Sequence, residues 1–398
     1  MKTFRKLLRV EWKRIFSNRV LLLIFFGAPI LYGLLFIQVY KYGKITDMPV
    51  VVIDEDHTSL SAMIIEALDE NENLLIAKVQ YDDGNIAEEM PSKEYVAVIR
   101  IPTGFEAGIL QKKYPEVLAD INTGNLVTAN FASRAIQTVM GTLNAGMEIE
   151  ALKKAGMDAQ TASQRYEPFK VNYTRFYNPA GNYLELMVPG IIGTIMQQVI
   201  FLALGLVFAR DFEDGYFKKL TRISTNSNYH ILLKAVPFFP LIAGMWLLVG
   251  SFYPMFRIDI RVFNWPMVLL VTVFSLACMF VGMLFSLAIP NQLRATELLM
   301  VIATPSFLLS GFTWPLEAMP GWIHVLGNTL PLTQFLQGFR KLAVYGGSYA
   351  DAQPHIRYLL LMSLVCWALM VILLRIKIAN TKKKMQLQKA QKSVAAGI

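Results

Sequence analysis

The stretch RVLLLIFFGAPILYGLLFIQVYKYGKITDMPVVVID, residues 19–54, decides the fold. Its apolar run at 20–40, with Pro29 inside it, has the length an α-helix needs to cross a bilayer. A secretory signal has a shorter apolar core and a small-residue cleavage site. Here the run ends in VYKYGK, so it reads as an uncleaved anchor. The composition then changes at once. MPVVVID (48–54) is the β-branched run of a strand.

On the N-terminal side lies FRKLLRVEWKRIFSNR (4–19). Phe4, Leu8, Trp12 and Ile15 recur at helical spacing, and Lys2, Arg5, Lys6, Arg9, Lys13 and Arg14 fill other positions. That pattern predicts a basic amphipathic helix over 1–19, lying in the headgroup layer. Seven Lys/Arg precede the first span, which places the N-terminus in the cytoplasm.

On the C-terminal side, 41–183 read as a soluble α/β domain. Strands are expected at 48–54, 74–79, 95–101 and 117–122. Helices are expected at 59–70, capped by Thr58 or Ser59, at 83–90, at 104–112 and over 126–156. Alternating strands and helices imply a mostly parallel sheet. Residues 161–180 read as polar and irregular.

Five more apolar runs follow, at 186–208, 231–252, 266–289, 297–312 and 356–374. Six spans bring the C-terminus back to the cytoplasm. The tail agrees, with Arg375, Lys377, Lys382, Lys383, Lys384, Lys389 and Lys392 and no acid. The expected fold is therefore an α-helical integral membrane protein of six transmembrane helices with an inserted extracytoplasmic α/β domain. Its segments are the helix at 1–19, the first span at 20–40, the domain at 41–183, five spans within 184–378 and a basic tail at 379–398.

Composition supports this. The 398 residues are 54% hydrophobic and only 17% charged, whereas soluble domains average about 25%. The net charge of +9 does not mean nucleic acid. Residues 41–183 hold 13 Lys/Arg against 20 Asp/Glu, and the rest holds 25 against 9. The positive excess flanks the apolar runs, where anionic lipid would meet it.

Catalytic patterns are missing. The sequence has no GxxxxGK[ST], GxSxG, HExxH or CxxC. Cys278 and Cys366 sit inside apolar runs and read as buried small hydrophobes. Asp54, Glu55, Asp56 and His57 could bind a cation, but read better as a polar turn before a helix. No metal site is expected. Few charges enter the spans, which argues against ion coupling. Arg294 and Glu297 are expected to pair at the inner mouth of the fifth span. Thr194, Gln197, Gln198, Thr304 and Ser306 are mild polar groups within spans. Either they bond between helices or they line a substrate path.

Two segments are more specific. ARDFEDGYFKKLTRIST (209–225) places acids, then Gly215, then basic residues between two spans. LLSGFTWPLEAMPGWIHVLGNTLPLTQFLQGFRKL (308–342) has Pro315, Pro320 and Pro331 at breaks between apolar pieces too short to span. It predicts a re-entrant hairpin over 313–343, facing outward and covered by protein or a watery cavity.

Together the two segments resemble the ABC type-2 permease family, the membrane subunits of one class of ABC exporters. The first matches through Arg210, Asp211, Glu213 and Gly215, with Tyr216 where the family favours Thr. The second matches through Ser310, Gly311, Pro315, Met319, Pro320, Trp322, Pro331, Leu332 and Thr333. The resemblance covers nearly the whole chain. It implies a coupling helix at 210–222, with Arg210, Asp211, Phe212, Glu213, Asp214, Gly215 and Leu220 seated on a separate ABC ATPase subunit. That partner would bind ATP and Mg; this chain would hold no cofactor and catalyse nothing. The resemblance further implies a homodimer, or a heterodimer with a related permease, in a bacterial inner membrane. It implies a path flanked by the second and fifth spans. A periplasmic adaptor and an outer-membrane channel are candidate partners of the inserted domain.

Two rival readings remain. One is a membrane receptor with an external ligand-binding domain, which needs no ATPase partner. The other is a membrane-bound transferase, which needs an acid, base or His constellation at a membrane face.

Overall fold

The computed structural model describes residues 2–82, 95–166, 176–178, 181–258 and 262–395. The chain divides into two compact units, one of residues 44–175 and one of residues 1–43 with 176–398.

The smaller unit is a mixed four-stranded sheet with helices. Its strands are β1 (Met48–Asp54), β2 (Leu74–Gln80), β3 (Ala97–Ile101) and β4 (Leu118–Ile121), in the order β2-β1-β3-β4. β1 pairs in parallel with β2 and β3. β4 runs antiparallel to β3, so the sheet is parallel except at that edge. Short apolar runs reveal strands but not the direction in which the last one returns. Both faces of β1 are buried, Val50 and Val52 on one and Val51 and Ile53 on the other, as an inner parallel strand requires. Ile64 and Leu68 of α3 (Ser59–Asp69) and Ala132 and Ile136 of α5 (Leu126–Lys154) join Val50, Val52, Ile99 and Ile101 in one core. The predicted helix at 83–90 lies outside the described residues. Part of the stretch predicted as irregular is helical, as α6 (Ala159–Tyr166).

The acidic turn after β1 is structural. Asp54 accepts the N–H groups of Asp56 and His57 and the Ser61 hydroxyl. Thr58 caps α3 through a reciprocal box with Ser61. Asp56 reaches across to α4 (Phe105–Leu110) and accepts the N–H groups of Phe105 and Glu106 at 2.8 and 3.0 Å. The helix has only Gly104 at its own cap position, with no side chain to offer, so Asp56 supplies the cap. Among the described residues no His/Cys/Asp/Glu cluster could hold a metal.

Burial alone would raise the Asp56 pKa, but the Thr58 hydroxyl and the N–H groups of Glu106, Phe105 and Gly104 lower it overall. The stabilisation is complete above the unfolded carboxyl's value and is lost as pH falls through the lower folded value. Asp56→Ala should cost about 1 kcal/mol and remove that acid sensitivity. Hydrogen exchange of residues 105–110 in the full chain, measured from pH 6 down to pH 3, checks both. Unchanged protection in the variant would refute the cap.

The larger unit is helical. α1 (Lys2–Phe16) precedes α2 (Arg19–Val39), which opens with Asn18 as its cap. Then come α7 (Tyr183–Gly205), α8 (Val207–Glu213), α9 (Tyr216–Ile223), α10 (Ser227–Ala235), α11 (Phe238–Met255), α12 (Trp265–Ala288) and α13 (Gln292–Leu309). A 3₁₀ turn (Leu316–Ala318), α14 (Gly321–Asn328) and α15 (Pro331–Phe339) lead to α16 (Tyr349–Ala395). The Lys-rich end continues α16 as helix.

Among the described residues five helices are long and apolar enough to cross a membrane: Arg19–Val39, Tyr183–Glu213, Ser227–Met255, Trp265–Ala288 and Tyr349–Gln388. The predicted fifth span at 297–312 is not among them. Its helix, α13, starts earlier, at Gln292, and its first turns carry Arg294 and Glu297. Both Cys278 and Cys366 are buried free thiols.

Candidate functional site

The chain bends where α7 ends. The N–H groups of Phe208 and Ala209 at the head of α8 both donate to Ser286 Oγ of α12 at 2.9 Å. A helix start has N–H groups without intrahelical partners, and Ser286 satisfies two of them. The neighbouring helices approach closely here. A Cβ on Gly205 would lie 2.8 Å from the Leu299 side chain of α13, and one on Gly282 of α12 would lie 2.9 Å from Leu204.

α8 stops at Glu213 and the chain turns at Gly215, with φ +68. L-residues adopt that conformation only with strain. The segment predicted as a single coupling helix over 210–222 is therefore two helices, α8 and α9, around a glycine turn. The acids precede the turn with Arg210, and Lys218, Lys219 and Arg222 follow it.

A buried charge network fills the angle. Asp211 is fully buried. Arg14 Nη1 of α1 donates to Asp211 at 2.7 Å, and Arg14 Nη2 donates to Asp214 at 2.9 Å. Lys234 Nζ of α10 lies 2.5 Å from Asp211 and 2.8 Å from Glu11. Lys234 is 2% exposed and Glu11 5%. Both cations face the Tyr216 ring, with the Arg14 guanidinium 4.5 Å and the Lys234 ammonium 5.5 Å from its centroid. Burial, then the Glu11 charge, raises the Tyr216 phenol above its ordinary pKa. Tyr216 thus shields the network and can add cation–π attraction to it.

Further contacts join other helices to the same elbow. Glu213 accepts the backbone N–H of Gln292 at 2.9 Å and also the Gln292 side-chain amide. Lys377 of α16 lies 4.5 Å over the Phe212 ring. The α8–α9 elbow is bonded or packed to α1, α10, α12, α13 and α16. Any force on it reaches all of them.

The predicted coupling residues separate by environment. Asp211 and Leu220 are buried, so neither is a surface contact of this chain. Asp211 is spent on Arg14 and Lys234, and Leu220 is the apolar underside of α9. Arg210 and Phe212 are half-buried, while Glu213 and Asp214 are exposed, as are Lys218, Lys219 and Arg222.

The predicted path residues differ in their surroundings. Thr194, Thr304 and Ser306 each donate back into their own helix, to Gly190, Met300 and Ile302 carbonyls at 2.9, 2.8 and 2.7 Å. Among the described residues they make no bond between helices. Gln197 is buried, and neither amide atom has a partner among the described residues. Gln198 is half-buried, and Ser306 is buried. Thr304 alone of the five lines a groove of 620 Å³, with Leu202, Glu297, Met300 and Val301. Arg294 and Glu297 form no ion pair among the described residues. The Arg294 backbone N–H is taken by the Asn291 cap, and the Glu297 side chain faces the groove.

In the hairpin, each proline precedes or opens an element: Pro315 the 3₁₀ turn, Pro320 α14, Pro331 α15. Such a residue has its φ preset and loses no helical bond. Met319 ends the 3₁₀ turn. Ser310 is buried and donates to the Phe307 carbonyl at 2.6 Å. Gly311 has φ +75 and packs against Leu316. α14 and α15 have 8 and 9 residues, too short to span. A polar string continues from them. Gln334 donates to the Asn328 carbonyl at 3.1 Å, and Gln334 Oε1 lies 2.9 Å from His355 Nδ1 of α16.

Sequence reasoning missed Glu11, Arg14 and Lys234 as a unit. One signal was available. Glu11 is the only acid in a helix of bases.

Residues 19–372 match the model of a family described as ABC-2 family transporter protein. The chain is 25% identical over 300 residues to the probable multidrug ABC transporter permease YbhS of Escherichia coli K12, covering 74% of each chain. It is 28% identical over 170 residues to the probable multidrug permease YbhR of the same organism, covering 40% of this chain and 44% of that one. ABC transporter G family member 20 of Dictyostelium discoideum is 24% identical over 242 residues, covering 59% of this chain and 32% of its own length.

Proposed function

The chain belongs to the ABC-2 family of transporter proteins, and from that premise we propose that it is the membrane permease subunit of an ATP-driven exporter, its ATPase being a separate chain. The elbow of α8 and α9 carries this reading. It is a rigid polar corner whose exposed side presents Glu213, Asp214, Lys218, Lys219 and Arg222. Its inner side is fastened to five other helices. An ATPase seated there would bind ATP and Mg, and its closure would shift the equilibrium of the whole helical unit. Two permease subunits, identical or related, would flank the path, with α7 and α13 lining it along the groove that holds Thr304.

In this reading α13 is the fifth of six crossings and 313–343 a re-entrant hairpin on the far side. Both termini are cytoplasmic, and the 44–175 unit is extracytoplasmic in a bacterial inner membrane. Basic flanks at both ends and at 209–234 support that orientation. The substrate is hydrophobic or amphipathic, a drug, lipid or glycan, since the groove is mostly apolar. The acidity and size of the 44–175 unit suit it to docking a periplasmic adaptor and an outer-membrane channel. If its deletion left export unchanged, that role would be lost.

Co-purification with a genomically neighbouring ABC ATPase, followed by ATPase stimulation in proteoliposomes, tests the central reading. The triple variant Lys218→Glu, Lys219→Glu, Arg222→Glu should lose co-purification and stimulation. Its thermal stability should change by less than about 1 kcal/mol, because all three side chains are exposed. Retained stimulation would refute docking at α9.

A further inference from the structure

We propose that a cavity at the head of α7 binds the head group of a zwitterionic phospholipid, its phosphate on Arg340 and its ammonium on Glu185. The cavity measures 360 Å³ and both side chains line it. They have opposite charge, yet neither forms an ion pair with the other or with any described residue. Glu185 Oε1 accepts only the Asn182 amide, at 3.1 Å. Arg340 uses one nitrogen, Nη2, on the carbonyls of Gly311 and Phe312 at 3.5 and 3.2 Å. Its remaining N–H donors have no partner among the described residues, and the guanidinium lies 4.9 Å over the Phe312 ring. A guanidinium with donors to spare is suited to a phosphate.

The cavity has aromatic walls as well as the two charges. Tyr177 and Tyr345 line the same cavity with ring centroids 4.5 Å apart, and both are about half exposed. Ring faces attract ammonium groups. A ligand with only one charge would leave the other group unanswered, whereas a zwitterion answers both. Phe312 and Phe339 line the cavity too, and these apolar rings suit the first part of an acyl chain. A lipid therefore fits better than a free head group. The assignment rests on the family's membrane setting and not on the direction of transport.

The test is native mass spectrometry of the full chain released from detergent. The probes are dihexanoyl phosphatidylethanolamine, dihexanoyl phosphatidylglycerol and free phosphorylethanolamine. The ethanolamine lipid should bind about tenfold more tightly than either other probe, the size of one charge-assisted bond. Glu185→Gln keeps an acceptor for Asn182 and should remove that preference over the glycerol lipid. Tyr345→Leu should reduce it. Arg340→Gln should weaken both lipids, but Arg340 also holds the hairpin, so Glu185→Gln decides. Equal binding of the two lipids, an unaffected Glu185→Gln, or no adduct would overturn the site. Equal binding of free phosphorylethanolamine would overturn the lipid assignment. ATPase stimulation measured alongside separates this from the permease reading: equal binding of the two lipids by the unaltered chain with intact stimulation rejects the site alone.

Discussion

Replacing Lys234 by methionine is expected to destabilise the helical unit by about 3–5 kcal/mol, the effect of leaving buried charges without their partner. Among the described residues Lys234 is the only cation within 3 Å of Glu11, whose other ion pair, with Arg14, is 3.8 Å long. Without it, Glu11 and Asp211, both buried, share Arg14. Thermal unfolding in detergent should show the loss. The double variant Glu11→Gln, Lys234→Met should recover part of it, because the stranded carboxylate is then neutral. If Lys234→Met unfolds at the wild-type temperature, the network has no structural weight. The same variant should lower ATPase stimulation even below its unfolding temperature, since α10 would lose its ion pair to the elbow while α1 stays bonded to it through Arg14.

Gly327→Ala is expected to have the second largest effect. A Cβ there would come 2.6 Å from the carbonyl oxygen of Leu309, the last residue of α13. Backbone cannot rotate away as a side chain can, so α14 must move off α13. Such overpacking costs about 1–3 kcal/mol. The shift would also carry Asn328 away from Gln334, and so loosen the string that ends on His355. Hydrogen exchange over 321–339 should rise, with a lowered unfolding temperature. Gly321→Ala is the control. It lies in the same helix, and its Cβ would meet nothing within 4 Å. Equal behaviour of the two variants would refute the close contact.

Much of the fold was legible because it depends on local pattern. The apolar run at 20–40 and the β-branched run at 48–54 each fix an element from its own composition. Thr58 and the hairpin prolines mark starts that the structure confirms, because caps and preset φ act within a turn. The errors fell where local pattern carries no information. Residues 210–222 have helical composition on both sides of Gly215, so the turn was read through. Arg294 and Glu297 stand at pairing distance in sequence, but among the described residues they form no ion pair, and Glu297 lines the groove instead.

The sequence by itself determined that this protein has long apolar helices, an inserted α/β unit and basic ends, since hydrophobic periodicity and charge bias are properties of single segments. Only the tertiary structure decided what the charges do. Arg14 and Asp211 are 197 residues apart and Lys234 and Glu11 223 apart, and alone each reads as an ordinary flank residue. Their meaning comes from being buried together. The energy of a charge depends on its partner and on the exclusion of water, and neither is written in the segment that carries it.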